Sequence, residues 1–160
     1  MKIDPLGLAP RRGIDVSDLL EVPYAAGGVH ESTGLDCLGV ALAVHRRLGL
    51  FQPHFPLDWA TAQNWILGPG WTELGRDVAA LRELGDVVLV EGGELAPLGV
   101  ACVFNLGRHG SAPAEPWLIT STPERGARAV RASAFLRSVG GHARVRGCYR
   151  WRPVHSGRSN

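Results

Sequence analysis

Lysine is nearly missing from this chain of 160 residues: sixteen of its seventeen basic residues are arginine, and Lys2 is the exception. Cysteine is scarce as well. Cys37, Cys102 and Cys148 form neither a CxxC pair nor a disulfide-rich pattern, which fits a reducing compartment or simple free thiols. No apolar run approaches the ~18 residues of a membrane span. The opening Met1-Lys2-Ile3-Asp4-Pro5 carries an acid and a proline where a secretory signal needs an apolar stretch, so no such signal is expected. Carboxylates almost vanish late in the chain. Residues 1–103 hold seven Lys/Arg against thirteen Asp/Glu, a balance of −6, whereas residues 104–160 hold ten Arg against two Glu, a balance of +8.

What is present is ordinary for a globular protein. Hydrophobic residues make up 45% and charged residues 20%, which excludes wholesale disorder. The length suits one domain over 1–160, with residues 1–20 as a lead and 153–160 as a frayed tail. The plainest consequence of the charge asymmetry is that the basic half meets the acidic half inside one fold. A nucleic-acid surface is the sharper alternative, but no basic-aromatic RNA motif or zinc-finger spacing supports it, so no specific nucleic-acid partner is expected. An acidic protein neighbour stays open, with Arg144, Arg146 and Arg150 as candidate contacts. Arginine suits such pairing because its planar fork grips a carboxylate with two hydrogen bonds.

The clearest element is a helix over Cys37–Leu48. Asp36 is a good N-cap, Arg46 and Arg47 complement the C-terminal end of the dipole, and Gly49 stands where a left-handed cap is wanted. Its Leu, Val and Ala positions cover both faces, which predicts burial. A short helix over Asp15–Glu21, a weaker one over Asp58–Leu67 and a third over Thr72–Leu84 are also expected. The last has Leu74, Val78 and Leu81 on one face. Five strands follow: Asp86–Val90, Val100–Phe104, Trp117–Thr120, Ala127–Ala132 and Val145–Trp151, with a helical turn at Ser133–Val139. Helices first and strands afterwards indicate α+β, with the helices packed on a five-stranded, mostly antiparallel sheet.

Asp36-Cys37 is the chemically informative point. A thiol in the first turn of a helix feels the positive end of the dipole and several unpaired N–H groups, and both favour the thiolate that attacks carbon. The bland alternative is a small buried hydrophobe, which is what most free cysteines are.

The stretch Val22-Pro23-Tyr24-Ala25-Ala26-Gly27-Gly28, then Gly34-Leu35-Asp36-Cys37-Leu38-Gly39-Val40, resembles the active-site segment of NlpC-type papain-like cell-wall cysteine peptidases. Gly85-Asp86-Val87-Val88-Leu89 is similar to that family's Gly-Asp strand. The Leu after the cysteine, with Asp58-Trp59-Ala60, resembles most the branch found in phage tails and gene transfer agents. The resemblance covers roughly residues 21–152 and implies a papain-like fold. It also implies Cys37 as nucleophile and Tyr24 and Asp36 supporting the cysteine segment. The partners implied are other tail or baseplate proteins, and peptidoglycan, for a protein made in the cytoplasm and assembled into a tail particle.

One departure concerns chemistry. The family places its histidine base at the start of the strand after the Gly-Asp strand, where this chain has Pro97-Leu98-Gly99-Val100; the base position is Pro97. The polar third-member position is Thr120. Without an imidazole, a cysteine peptidase loses both the base that activates the thiol and the acid that protonates the leaving amine. His45 lies two turns along the cysteine's own helix, and His54, His142 and His155 are poorly placed, which leaves His30 and His109 as substitutes. No histidine pair or Cys/His cluster has metal-ligand spacing, so neither a metal nor a cofactor is expected. Trp59, Trp65 and Trp71 are either packing between the middle helices or an aromatic patch for a partner. The expectation is therefore a degenerate papain-like protein acting as a structural or binding component of a phage-like tail tip. The alternative is an active peptidoglycan-cleaving cysteine peptidase or amidase whose histidine lies elsewhere.

Overall fold

The computed structural model describes residues 16–50, 68, 70–91, 98–103, 116–141 and 144–152, with backbone alone for 98–103. A 3-10 turn at Ser17–Glu21 replaces the first expected helix. A two-stranded ribbon follows, β1 (Val29–His30) against β2 (Gly34–Leu35), and leads into α1 (Cys37–Arg47). The remaining elements are β3 (Trp71–Gly75), β4 (Val87–Glu91), β5 (Leu98–Val103), β6 (Trp117–Thr122), β7 (Gly126–Arg131), α2 (Ala132–Val139) and β8 (Val145–Trp151). The six longer strands form one antiparallel sheet in the order β3-β8-β4-β5-β6-β7. At the coarse level the chain is thus mixed α/β with antiparallel sheets and two helices, compatible with α+β. Among the described residues no helix is long and apolar enough to cross a membrane.

α1 starts and stops where the sequence places it. Asp36 accepts a hydrogen bond from the Gly39 N–H at 2.7 Å, and Gly49 closes the far end at φ +72°. All residues from Cys37 to His45 are buried, as the two apolar faces require. The helix covers one face of the sheet, where Leu38, Leu42 and Val44 join Val87, Leu89, Ile119 and Tyr149 in one cluster. The opposite face carries α2. There Phe135 and Leu136 pack with Val88, Val90, Leu118, Val145 and Cys148. The helices therefore flank the sheet rather than gathering on one side of it.

The expected helix over Thr72–Leu84 does not form. Residues 71–75 pair with β8, Trp71 opposite Trp151 and Glu73 opposite Tyr149, and only Val78–Ala80 makes a 3-10 turn, capped by Asp77 on the Ala79 N–H at 2.9 Å. Gly75 has φ +101°, which stops any helix at that point. Leu74, Val78 and Leu81 still share one cluster, but a strand and a turn bring them there. Those positions carry a helical period, but pairing with a strand some 75 residues later in the chain overrides it. The helix expected over Asp58–Leu67, with Trp59 and Trp65, lies outside the described residues.

Candidate functional site

The N-terminus of α1 is built by glycines that let backbones touch. A Cβ on Gly39 would stand 2.0 Å from the Gly28 carbonyl oxygen, and one on Gly28 would stand 2.2 Å from the Gly34 carbonyl oxygen. The loop over Pro23–Gly28 is thereby pressed onto the first turn of the helix. Asp36 locks it there. One carboxylate oxygen accepts from Gly39 and the other from the Gly27 N–H at 3.0 Å, while the Asp36 N–H donates to Gly28 O at 3.2 Å. Burial raises the Asp36 carboxyl above the usual carboxylate range, and the N–H donors of Gly39 and Gly27 work against that rise.

Cys37 follows in the first helical turn, and only 5% of the residue is exposed. Tyr24 stands close by. Its phenol is raised above the ordinary value first by burial, then by the negative charges of Asp36, Cys37 and Glu124. Three of the residues singled out from sequence, Tyr24, Asp36 and Cys37, are therefore gathered in one place, together with Glu124 from the β6–β7 turn. The β6–β7 end of the sheet reaches this loop through backbone contact: the Ala127 N–H donates to Val22 O at 3.0 Å.

Thr120 does not join them. Along β6, Ile119 belongs to the cluster under α1 and Leu118 to the cluster under α2. Side chains alternate along a strand, so Thr120 shares the α2 face with Leu118, and Ser121 shares the α1 face with Ile119. Ser121 is 1% exposed, and its hydroxyl has no hydrogen-bond partner among the described residues. The polar group that β6 turns toward the α1 side is thus Ser121. Its signal in the sequence was the alternation of Leu118-Ile119-Thr120-Ser121, but both faces of β6 are buried, so the pattern alone could not say which one α1 covers.

Pro97 lies outside the described residues, immediately before β5. Leu98 and Gly99, the alternatives for the base position, pair with Glu91 and Val90. Of the six histidines only His30 and His45 are described. His45 is 1% exposed, donates from Nε2 to Gly85 O at 2.8 Å and stacks on Trp71 at 5.3 Å between ring centroids. Eight residues of helix separate it from Cys37, about 12 Å along the axis. His30 is exposed on β1.

Two surface expectations change. Trp71 is no exposed anchor: it lies between His45 and the edge of Trp151, whose ring centroid is 5.3 Å away. Arg150 faces inward, with Nε on one Asp86 oxygen at 2.8 Å and Nη2 on the other at 2.7 Å. Arg146 pairs with Glu91 at 3.7 Å, and Arg144 donates to the Glu91 carbonyl at 3.3 Å. Arg152 pairs with Glu83. Arg146, Arg150 and Arg152 are thus paired with acids of the first half of the chain, on β4 or in the turn before it, while Arg144 meets only a backbone carbonyl. Among the described residues, no three His, Cys, Asp or Glu side chains converge as metal ligands would. In comparisons with known proteins, the chain matches no family model and no curated protein.

Proposed function

We propose that this chain is a degenerate NlpC-type, papain-like protein that serves as a structural or binding component, most naturally of a phage-like tail tip, and does not work as a peptidase. One observation carries the reading: Cys37 occupies a nucleophile's position, in the first turn of a capped helix, but is 5% exposed, and the one buried histidine described is committed elsewhere. Helix N-termini favour thiolate, but peptide cleavage also needs an acid for the leaving amine, and Pro97 holds no proton to give. The Asp36–Gly27–Gly39 clamp is then a structural remnant that keeps the loop against α1. Peptidoglycan remains a ligand to be held rather than cut, and a fold outlasting its chemistry is physically ordinary.

Muropeptide release by the purified protein tests this. The expected result is no release that Cys37→Ala abolishes. Clear release by the wild type and none by Cys37→Ala overturns the reading; His30→Ala and His109→Ala would then identify the base.

A further inference from the structure

The loop over Pro23–Gly28 has two unlike parts. Its root is locked: a Cβ would fit on neither Gly28 nor Gly39, and the Asp36 N–H donates to Gly28 O at 3.2 Å. Its tip is not. Ala26 and Gly27 are exposed, and a Cβ on Gly27 would meet nothing within 4 Å. Among the described residues Gly27 makes one hydrogen bond, from its N–H to Asp36 Oδ2 at 3.0 Å. The other carboxylate oxygen, Oδ1, accepts from Gly39 at 2.7 Å. One titratable group thus joins the loop tip to the helix.

Both bonds hold only while both oxygens accept. A protonated carboxyl keeps one acceptor oxygen and turns the other into an O–H donor. The proton belongs on Oδ2, whose bond is the longer and the more exposed; on Oδ1 it would leave the buried Gly39 N–H unsatisfied. On Oδ2 the new O–H faces the Gly27 N–H, donor against donor, and the tip must move. The titratable groups gathered here are Tyr24 on the loop, Cys37 on α1 and Glu124 in the β6–β7 turn. Each carries negative charge or none, and a negative neighbour favours the neutral carboxyl. On the ribbon, Glu31 is turned to Arg46 and Arg47. His30 on the ribbon and Arg125 in the turn are exposed, so solvent screens their charge. Burial favours the neutral form too, and holds the Asp36 carboxyl above the usual carboxylate range against its N–H donors.

We infer that Asp36 is an acid-released latch: protonation of its carboxyl frees the Ala26–Gly27 tip from α1 and opens the mouth beside Cys37, while the root of the loop stays in place. The tip follows Tyr24 by two residues, so its release loosens the segment that brings the phenol to the side of Cys37. Linkage separates this opening from unfolding. The folded carboxyl holds its proton more tightly than the unfolded one, so Asp36 contributes stability that is present at low pH and lost as pH rises through its titration. Mild acid therefore opens the latch without this group weakening the fold. The latch regulates the site of the proposed binding role and rests on that reading for the site's use. The measurement below follows the latch alone, so either can fail without the other.

The experiment is an NMR titration of the full chain that follows the Asp36 carboxyl carbon and the amide protons of Gly27 and Gly39. The carboxyl should titrate above an ordinary aspartate, and the Gly27 amide should lose its carboxylate-bonded shift at the same midpoint. The Gly39 amide should keep most of its shift, and the helical circular dichroism should not change across the step. Asp36→Asn keeps a good N-cap but offers Gly27 an NH2 group instead of an acceptor, so its Gly27 amide should sit at the acid position at every pH. In that variant, reaction of Cys37 with a bulky maleimide should speed up relative to small iodoacetamide at one pH, a ratio that cancels any change in thiol ionisation. A Gly27 amide that ignores the carboxyl's titration, a Gly39 bond lost together with it, a titration at or below that of an ordinary aspartate, or unfolding at the same midpoint overturns the latch. So does an Asp36→Asn variant with the wild-type Gly27 shift or an unchanged reagent ratio.

Discussion

Replacing Arg150 should weaken the fold itself rather than only loosen a contact with a partner. The guanidinium meets Asp86 at 2.8 and 2.7 Å, and the side-chain exposures are 19% for Arg150 and 1% for Asp86. The same Asp86 oxygen also accepts the backbone N–H groups of Arg82 at 2.9 Å and Glu83 at 3.0 Å, so the carboxylate ties the turn before β4 to β8. Removing one member of a buried pair costs about 3–5 kcal/mol, because the other charge is left in a poorly solvated place. Arg150 keeps some contact with water, so Arg150→Met should fall near the lower end, about 3 kcal/mol. That is a large share of the roughly 5–15 kcal/mol available to a domain, and corresponds to about 6–12 °C in Tm at this chain length. Arg150→Glu should cost more, since it sets a third carboxylate beside Asp86 and Glu83. Arg146→Glu, by contrast, disturbs an exposed pair at 3.7 Å, which is worth at most about 1 kcal/mol. Urea unfolding followed by circular dichroism reads all three. An Arg150→Met variant within about 0.5 kcal/mol of wild type, a typical surface effect, would refute the buried bridge.

Two further outcomes test the fold around the candidate site. Cys148 is fully buried, and its thiol is pushed up to about 12 by burial and by the negative charges of Asp86, Asp77 and Glu73. With the folded value above the unfolded one, its contribution to stability is complete below about pH 9 and is lost as pH climbs toward about 12. Cys148→Ala should flatten the alkaline limb of stability against pH, and native alkylation near pH 8 should reach Cys37 before Cys148; an unchanged limb or the opposite order would count against this placement. Gly39→Ala should destabilise the protein although alanine favours helices by about 1 kcal/mol, because the new Cβ would lie 2.0 Å from Gly28 O; a stabilised variant in thermal melts would mean that the loop does not press on α1.

The sequence by itself determined the elements whose signals are local. The Asp36 cap, the terminal arginines and Gly49 bounded α1 within a residue, because capping groups act within one turn of the helix they close. The runs from Val87 to Trp151 declared their strands by alternation and punctuation, and β8 matched at both ends. The juxtaposition of Asp36 and Cys37 was also legible, since a cap and the first helical residue are adjacent in sequence, whereas Tyr24 entered only through the resemblance of its segment. Tertiary structure alone decided what depends on distant partners. Residues 71–75 became a strand because β8 offered hydrogen bonds that a local helical period could not outweigh. Ser121 rather than Thr120 turned toward α1 because both faces of β6 are buried and only the packing of α1 and α2 tells them apart. Arg150 turned inward to Asp86, 64 residues earlier in the chain, because the strand order sets β8 beside β4 and the turn that precedes it, a neighbour that no local signal announces.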